Sequence, residues 1–205
     1  MHAHTRQTQA QLTPAAALAL LKEGNGRFVN NLRANRNLLR QVNETSDGQF
    51  PFAVVLSCID SRVSAELVFD QGLGDIFSVR IAGNFVNDDI LGSMEFACKV
   101  SGSKLIMVLG HTRCGAIKGA CDDVQLGYIT AMLGKIRPAV LATPCEGERS
   151  SKNEPFVDAV ALTNVQATMK HITERSPILE KMVTSGEIAI AGGVYDVQNG
   201  TVEFI

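Results

Sequence analysis

The sequence predicts an α/β fold with a mostly parallel central β-sheet flanked by helices, and two features indicate it. Residues 52–56 and 104–110 are almost uninterrupted apolar runs, typical of strands that are buried on both faces of a parallel sheet. Strands of this kind alternate with helical segments along the chain, which predicts right-handed βαβ crossovers. With 205 residues, the chain is long enough for one well-buried core and short for two. We therefore predict a single domain over residues 1–205.

Residues 1–48 are predicted to form a helical arm ahead of the first strand. Thr13-Pro14 supplies an N-cap hydroxyl and a proline at the first helical position, and strong helix formers follow. Gly24-Asn25-Gly26 is expected to break this helix. Because a broken helix in this position has little sheet of its own to cover, we expect the arm to pack on a neighbouring subunit.

Turn residues and helix-capping residues in the sequence predict the bounds of the remaining helices and strands. A polar loop at 43–49 leads to the first strand, and a short helix at 65–70 ends at Gly72 and Gly74 before a second strand at 75–80. The elements predicted after it are a helix at 88–100, the strand at 104–110, helices at 116–120, 128–141, 156–175 and 177–185, a strand at 188–196, and a C-terminal hairpin strand at 202–205 that follows Asn199-Gly200. Within 128–141, the helix is expected to run up to Pro138.

The charge and hydropathy of the chain exclude several classes of partner. The formal net charge is −2 and no cluster of Lys or Arg stands out, so neither nucleic acid nor an anionic membrane is an expected partner. No run of about 18 apolar residues is present, so no transmembrane helix is predicted.

The cysteines indicate a reducing compartment. Their number, five, is odd, which argues against a disulfide framework and for reduced thiols. Residues 1–12 are polar and lack the apolar core of a signal peptide. We therefore expect a cytoplasmic protein, unless a signal peptide was removed ahead of Met1.

Chemically active side chains follow the two apolar runs. Cys58, Asp60 and Arg62 come directly after the first strand, at the carboxyl end where open α/β sheets place their sites. The next buried strand delivers His111 and Cys114 to the same edge of the sheet. Two thiolates and one imidazole are the ligand set of a catalytic zinc that keeps its fourth position open for water. The sequence therefore predicts Zn²⁺ bound by Cys58, His111 and Cys114.

At these five positions the sequence resembles the β-class carbonic anhydrases. Cys-x-Asp-x-Arg, followed about fifty residues later by His-x-x-Cys-Gly, is the zinc pattern of that family, and flanking segments between Gln49 and Ala120 are similar as well. The resemblance implies a β-carbonic-anhydrase-like fold and the reversible hydration of carbon dioxide to bicarbonate and a proton by a zinc-bound hydroxide. It also implies a homodimer or a homotetramer.

The resemblance further implies roles for individual residues. Gln49, nine residues before Cys58, matches the substrate-binding glutamine of the family. Asp60 and Arg62 match a catalytic dyad beside the metal. The substrate pocket that the resemblance implies contains Phe77, Ala82, Phe96 and Gly115.

Two positions depart from the family pattern. Phe96 stands where a tyrosine is often found, so the hydroxyl of that tyrosine is missing from the pocket. Val55 stands where members that are regulated by bicarbonate carry tryptophan. We therefore expect no regulatory bicarbonate pocket.

The charge of the predicted zinc site indicates a role for Asp60 and Arg62. Zinc with two thiolates and a neutral imidazole has no net charge, so it acidifies its bound water less than a tri-histidine site does. Asp60 can accept a hydrogen bond from the zinc hydroxide and orient it, while Arg62 keeps Asp60 ionised and turned away from the metal. If Asp60 were released, it could become the fourth metal ligand and close the site.

Other interpretations of the same residues stay open at this stage. The first is a hydrolase of carbonyl sulfide or carbon disulfide on the same fold. The second is a non-catalytic zinc-binding or redox-sensing protein in which Asp60 is a permanent ligand, because structural zinc sites are closed. The Asp60–Arg62 pair could also be a purely structural ion pair. The remaining cysteines, Cys98, Cys121 and Cys145, are interpreted as small buried hydrophobes.

Overall fold

The computed structural model describes residues 1–205, and its centre is one five-stranded sheet. The strands are β1 (Ala53–Ser57), β2 (Ile76–Arg80), β3 (Leu105–His111), β4 (Ala189–Tyr195) and β5 (Val202–Phe204). Their order across the sheet is β2-β1-β3-β4-β5. The first four strands pair in parallel, and only β5 is antiparallel to its neighbour. The predicted parallel sheet and C-terminal hairpin strand are confirmed.

Ten helices surround this sheet. Their bounds are α1 (Arg6–Gln11), α2 (Pro14–Val29), α3 (Leu38–Glu44), α4 (Ala65–Val68), α5 (Asp88–Glu95), α6 (Gly115–Cys121), α7 (Gly127–Leu133), α8 (Arg137–Ala142), α9 (Glu154–Arg175) and α10 (Pro177–Thr184). A π-helical turn, Phe96–Val100, extends α5 toward β3.

Three helical segments differ from the prediction. The sequence does not predict α1 and α3, which are short and begin at side-chain caps, Thr5 and Asn37 respectively. The segment 128–141, predicted to be helical up to Pro138, is in fact two helices. Gly134 ends α7, and Pro138 lies in the first turn of α8, where the missing amide hydrogen costs no helical bond.

The N-terminal arm also differs from the prediction, because α2 runs through Gly24-Asn25-Gly26 without a break. A Cβ at Gly24 would lie 1.7 Å from the carbonyl oxygen of Phe69, so glycine here lets α2 approach α4 closely. The side-chain amide of Asn25 is buried and donates to the carbonyls of Val68 and Gly200. These two residues therefore dock the helix, and they do not interrupt it.

The N-terminal arm covers the central sheet of its own chain. Ala17 and Leu21 of α2 are fully buried, and they belong to the apolar cluster that packs on one face of the central strands. The expectation that α2 lacks such a surface is therefore wrong. Its packing on a neighbouring subunit remains a prediction.

The two faces of the sheet have separate apolar layers. α2 and α4 cover one face, whereas α5, α9 and α10 cover the other. β1 and β3 are buried along their whole length, which explains their continuous apolar sequences. No helix is both long enough and apolar enough to cross a bilayer.

The longest helix, α9, lies directly against the central strands. A Cβ at Gly110 of β3 would lie 2.6 Å from Cγ2 of Val165, and a Cβ at Gly192 of β4 would lie 2.5 Å from Sδ of Met169. Glycine at these two strand positions lets the helix pack closely on the sheet. α9 is thereby fixed beside the end of β3 that carries His111.

Candidate metal centre

Three metal-ligating side chains meet at the carboxyl edge of the sheet. Cys58 directly follows β1, His111 is the last residue of β3, and Cys114 is the N-cap of α6. Their ligand atoms all lie within 4.8 Å of one another, and all three side chains are buried. The structure thus brings together the three residues that the sequence predicts as zinc ligands.

The arrangement fits a tetrahedral zinc ion. The sulfurs of Cys58 and Cys114 are 3.9 Å apart, which is too far for a disulfide. Two thiolates on one tetrahedral zinc are about 3.8 Å apart when each bond is about 2.3 Å. Nδ1 of His111 lies 2.9 Å from the carbonyl oxygen of Thr112 and must donate to it, so Nε2 keeps its lone pair. Nε2 is buried without any hydrogen-bond partner, as expected of a metal ligand.

The two thiols influence each other in the metal-free chain. A hydrogen bond from the Cys114 thiol lowers the pKa of Cys58, and the backbone amide of Gly83 also donates to the Cys58 sulfur, at 3.4 Å. The same thiol pair, together with burial, raises the pKa of Cys114. The hydrogen bonds to the Cys58 sulfur thus favour its thiolate form, and a bound cation would stabilise both thiolates.

Asp60 is held by Arg62 beside the ligand cluster. Nε and Nη2 of Arg62 donate to the two carboxylate oxygens of Asp60 at 2.9 and 2.7 Å, and the Arg62 amide donates to Oδ1 at 3.0 Å. These bonds hold the pKa of Asp60 below its usual range. Oδ2 lies 3.9 Å from Nε2 of His111, so the carboxylate borders the cluster while it remains on the guanidinium.

Arg80 is part of this edge, although the sequence gives no role for it. Its Nε donates to the carbonyl of Cys58 at 3.0 Å, and its Nη2 donates to the carbonyl of Asp60 at 2.6 Å. Arg80 ends β2 and is paired with Ser57 in the parallel register, so its position beside Cys58 could have been inferred from the strand alignment. It holds the loop that carries one ligand and the carboxylate.

Two of the four predicted pocket residues lie beside the ligands. Ala82 is half-buried and directly precedes Gly83, whose amide contacts the Cys58 sulfur. Gly115 is exposed, follows Cys114 and begins α6. Both positions are compatible with contact between substrate and backbone.

The other two predicted pocket residues do not lie beside this cluster. Phe77 is paired with Val54 in the register of β1 and β2, three residues before Ser57, which places it about 10 Å from the carboxyl edge. Phe96 packs against Phe77, with ring centroids 6.3 Å apart, and is 52% exposed. Within one chain, Phe77 on the edge strand and Phe96 on the π-helical turn form an aromatic pair that does not line the candidate metal centre.

Gln49 is also separated from the cluster. It is exposed and precedes β1, whereas Cys58 follows β1, so the length of the strand lies between them. Five residues of parallel strand span about 16 Å. Gln49 therefore lies away from the ligand cluster of its own chain, at the opposite end of β1, and its role in substrate binding remains a prediction.

Comparisons of the sequence with known proteins agree with this site. The carbonic anhydrase family model matches residues 53–202. A carbonic anhydrase of Mycolicibacterium smegmatis is 36% identical over 197 residues, which is 93% of this chain and 92% of that protein. Carbonic anhydrase 2 of Mycobacterium tuberculosis is 37% identical over 195 residues, which is 91% of this chain and 90% of that protein.

Solved structures show the same fold. The β-carbonic anhydrase CcaA superposes with a TM-score of 0.70 at 26% identity, over 91% of this chain and 94% of that chain. A structure from a study of two tetrameric β-carbonic anhydrases of Sordaria macrospora also gives a TM-score of 0.70, at 21% identity, over 80% of this chain and 84% of that chain. The buried Cys-His-Cys cluster, the family match and the full-length relatives lead to one conclusion: the chain belongs to the β-carbonic anhydrase family of enzymes.

Proposed function

We propose that this protein catalyses the reversible hydration of carbon dioxide to bicarbonate and a proton, with Zn²⁺ held by Cys58, His111 and Cys114. The observation that carries the proposal is the convergence of three buried ligand atoms with a carboxylate 3.9 Å from the imidazole nitrogen. The mycobacterial relatives named carbonic anhydrase support the same reaction. When bound, the zinc supplies an acidified water as the nucleophile.

The residues of the chain prepare this chemistry before any substrate enters. The bond to the Thr112 carbonyl fixes the ring of His111 and directs Nε2 into the cluster. Burial of the two sulfurs and the imidazole shields the ligand atoms from bulk water. The low dielectric of this pocket strengthens the interactions between the ligands and a bound cation.

Asp60 and Arg62 act as the proton-orienting dyad in this proposal. Asp60 is ionised and can only accept hydrogen bonds, so it can orient the hydrogen of a nucleophile and direct a lone pair toward the substrate carbon. Arg62 occupies both carboxylate oxygens and keeps Asp60 away from the ligand cluster. An interpretation with Asp60 as a permanent ligand requires these bonds to break.

We propose a homodimer or a homotetramer in a reducing, cytoplasmic compartment. Exposed apolar side chains cluster on the arm, where Leu32, Leu38 and Leu39 are all more than half exposed. Gln49, Phe77 and Phe96 can reach a metal centre only across a subunit interface, because they lie away from that of their own chain. The thiols of Cys58 and Cys114 must stay reduced to bind zinc.

The decisive experiment measures zinc content and carbon dioxide hydration together. Wild-type protein should contain one zinc per chain and hydrate carbon dioxide in a stopped-flow assay, whereas Cys58→Ser should lose both. Cys98→Ser is the matched control, because Cys98 is equally buried but lies in a different apolar cluster. Turnover of carbonyl sulfide, measured in parallel, distinguishes the hydrolase alternative. Full zinc in Cys58→Ser would overturn the ligand assignment.

A further inference from the structure

The loop that contacts the Cys58 sulfur has an unusual backbone. Gly83, whose amide is 3.4 Å from that sulfur, has a φ of 79°, and Asn84 follows with a φ of 41°. Left-handed backbone is uncommon for residues with a side chain, and asparagine is among the few that adopt it readily. A Cβ at Gly83 would also lie 2.3 Å from Cδ1 of Ile136. Contacts outside the loop add to the intrinsic preference of these two residues and fix the conformation.

Helix α9 supplies those contacts. The side-chain amide of Asn164 donates to the carbonyl of Gly83 at 2.8 Å, and Oγ1 of Thr168 donates to the carbonyl of Asn84 at 3.4 Å. The two α9 residues are four apart, so they lie on the same face of the helix. Both are at most 3% exposed, so water does not compete for these bonds.

The same helix holds the loop between the other two ligands. Arg113 lies between His111 and Cys114 and has a φ of 55°. Its amide donates to a carboxylate oxygen of Asp158 on α9 at 3.0 Å. Because α9 also packs closely on the sheet at two glycines, it fixes both ligand-bearing regions relative to one another.

We propose that Asn164 is a positioning residue of the metal centre, which holds the Gly83 carbonyl and thereby keeps the Gly83 amide directed at the Cys58 sulfur. An amide hydrogen bond withdraws electron density from a metal-bound thiolate and fixes its direction. Asn164 therefore tunes the metal without contacting it. This inference rests on the proposed zinc binding at Cys58.

The test replaces Asn164 with leucine, which has the same branching at Cγ and no donor. Loss of an outer partner of a metal ligand typically weakens metal affinity about 10- to 100-fold. Competition with a chromophoric chelator should show that loss of zinc affinity in Asn164→Leu. The matched control is Thr163→Val on the same helix, because Thr163 bonds Thr143 and contacts neither ligand loop.

A spectroscopic readout separates positioning from general stability. In cobalt-substituted protein, the thiolate-to-cobalt charge-transfer band should shift in Asn164→Leu and stay unchanged in Thr163→Val. A general loss of stability does not change the electron density on the sulfur, so it does not shift the band. An unchanged band together with unchanged zinc affinity in Asn164→Leu would overturn the proposal.

A second measurement keeps the proposal testable if Asn164→Leu does not fold. In ¹¹³Cd-substituted wild-type protein, a scalar coupling between the metal and the Gly83 amide proton reports the hydrogen bond directly. The coupling should be present in the wild type and lost in Asn164→Asp, which keeps the shape but not the amide donor. Its absence from the wild type, or its persistence in Asn164→Asp, contradicts the inference. A wild-type protein without stoichiometric zinc would instead overturn the proposed function.

Discussion

Arg62 binds both oxygens of Asp60, at 2.9 and 2.7 Å, and this pairing leaves the carboxylate beside the metal ligands without joining them. Asp60 Oδ2 is only 3.9 Å from Nε2 of His111. A small rotation of the Asp60 side chain would therefore be enough to bring it to a cation held by that nitrogen. The guanidinium is the group that opposes this rotation.

Removal of the guanidinium in Arg62→Ala should convert the site from open to closed. The carboxylate loses its cationic partner, and a bound zinc becomes the best one available. The variant should keep its zinc, gain one oxygen ligand from Asp60, and lose at least about 10²-fold in carbon dioxide hydration. Zinc X-ray absorption and stopped-flow assays measure both effects.

The control for this experiment is Arg62→Lys, which keeps a positive charge but cannot form the two-pronged bond. We expect an intermediate loss of turnover in this variant. Near-normal turnover in Arg62→Ala, with no new oxygen ligand, would show that the pair is only structural.

The pH dependence should not involve the dyad. Because the pKa of Asp60 is below its usual value in the folded chain, the stabilisation from its pairing is complete above about pH 4 and is lost only on acidification. Arg62 has a raised pKa and remains charged. Between pH 6 and 9 the pair therefore keeps a constant charge.

A rise in hydration activity between about pH 7 and 9 must then originate at the metal centre, whose neutral ligand set acidifies water weakly. The midpoint of the rise should be the same in wild-type protein and in Arg62→Lys, although the maximum is lower in the variant. Rates measured with buffer in excess test this. A midpoint displaced by a full pH unit in Arg62→Lys would identify Asp60 as the titrating group.

Replacing each of two glycines of α2 with alanine should change the free energy of unfolding in opposite directions. Gly24→Ala places a methyl group 1.7 Å from the Phe69 carbonyl oxygen, so α2 must move away from α4. Such overpacking costs about 1–3 kcal/mol or more. A Cβ at Gly26 meets nothing within 4 Å, and Gly26→Ala should stabilise the helix by about 0.4–1 kcal/mol.

Urea unfolding at a fixed protein concentration compares the two variants. The prediction depends on α2 being continuous and seated on its own chain. Equal effects of Gly24→Ala and Gly26→Ala would show that the helix is not docked on α4 in solution.

The ligand set was predictable because its signals are local. Apolar runs identified β1 and β3, and residues that follow parallel strands must meet at one edge, so Cys58 and His111 could be placed together without a structure. The continuity of α2 through Gly24 was not predictable. The glycine is needed because the carbonyl of Phe69, which is distant in sequence, lies where a side chain would be. Asn164 was missed for the same reason, since it meets Gly83 from 81 residues away.

The separation of Gln49 from the ligands of its own chain was missed for a different reason. The motif spacing relates it to Cys58 along the chain, but the intervening strand carries it to the other edge of the sheet. The strand direction contains that information, whereas the spacing alone does not. Phe77 shows the same pattern, because its position on β2 follows from the register, and Phe96 packs against it from the π-helical turn after α5.

Gln49 should serve the metal centre of a partner subunit, and mixed oligomers can test this. Gln49→Ala and His111→Ala should each be nearly inactive alone, the first because a substrate-positioning donor is lost, at a cost of about 10²-fold, and the second because a metal ligand is missing. In a dimer that contains one chain of each kind, the Gln49→Ala chain keeps its three ligands and receives an intact Gln49 from its partner. One of the two sites is then complete. Because half of the dimers are mixed, random mixing of equal amounts should restore about a quarter of wild-type activity per chain.

Differently tagged chains, co-expressed and purified through both tags, isolate the mixed species. Activity that stays at the mean of the two parent variants would show that Gln49 does not act across the interface, and normal turnover of Gln49→Ala alone would remove it from the site altogether.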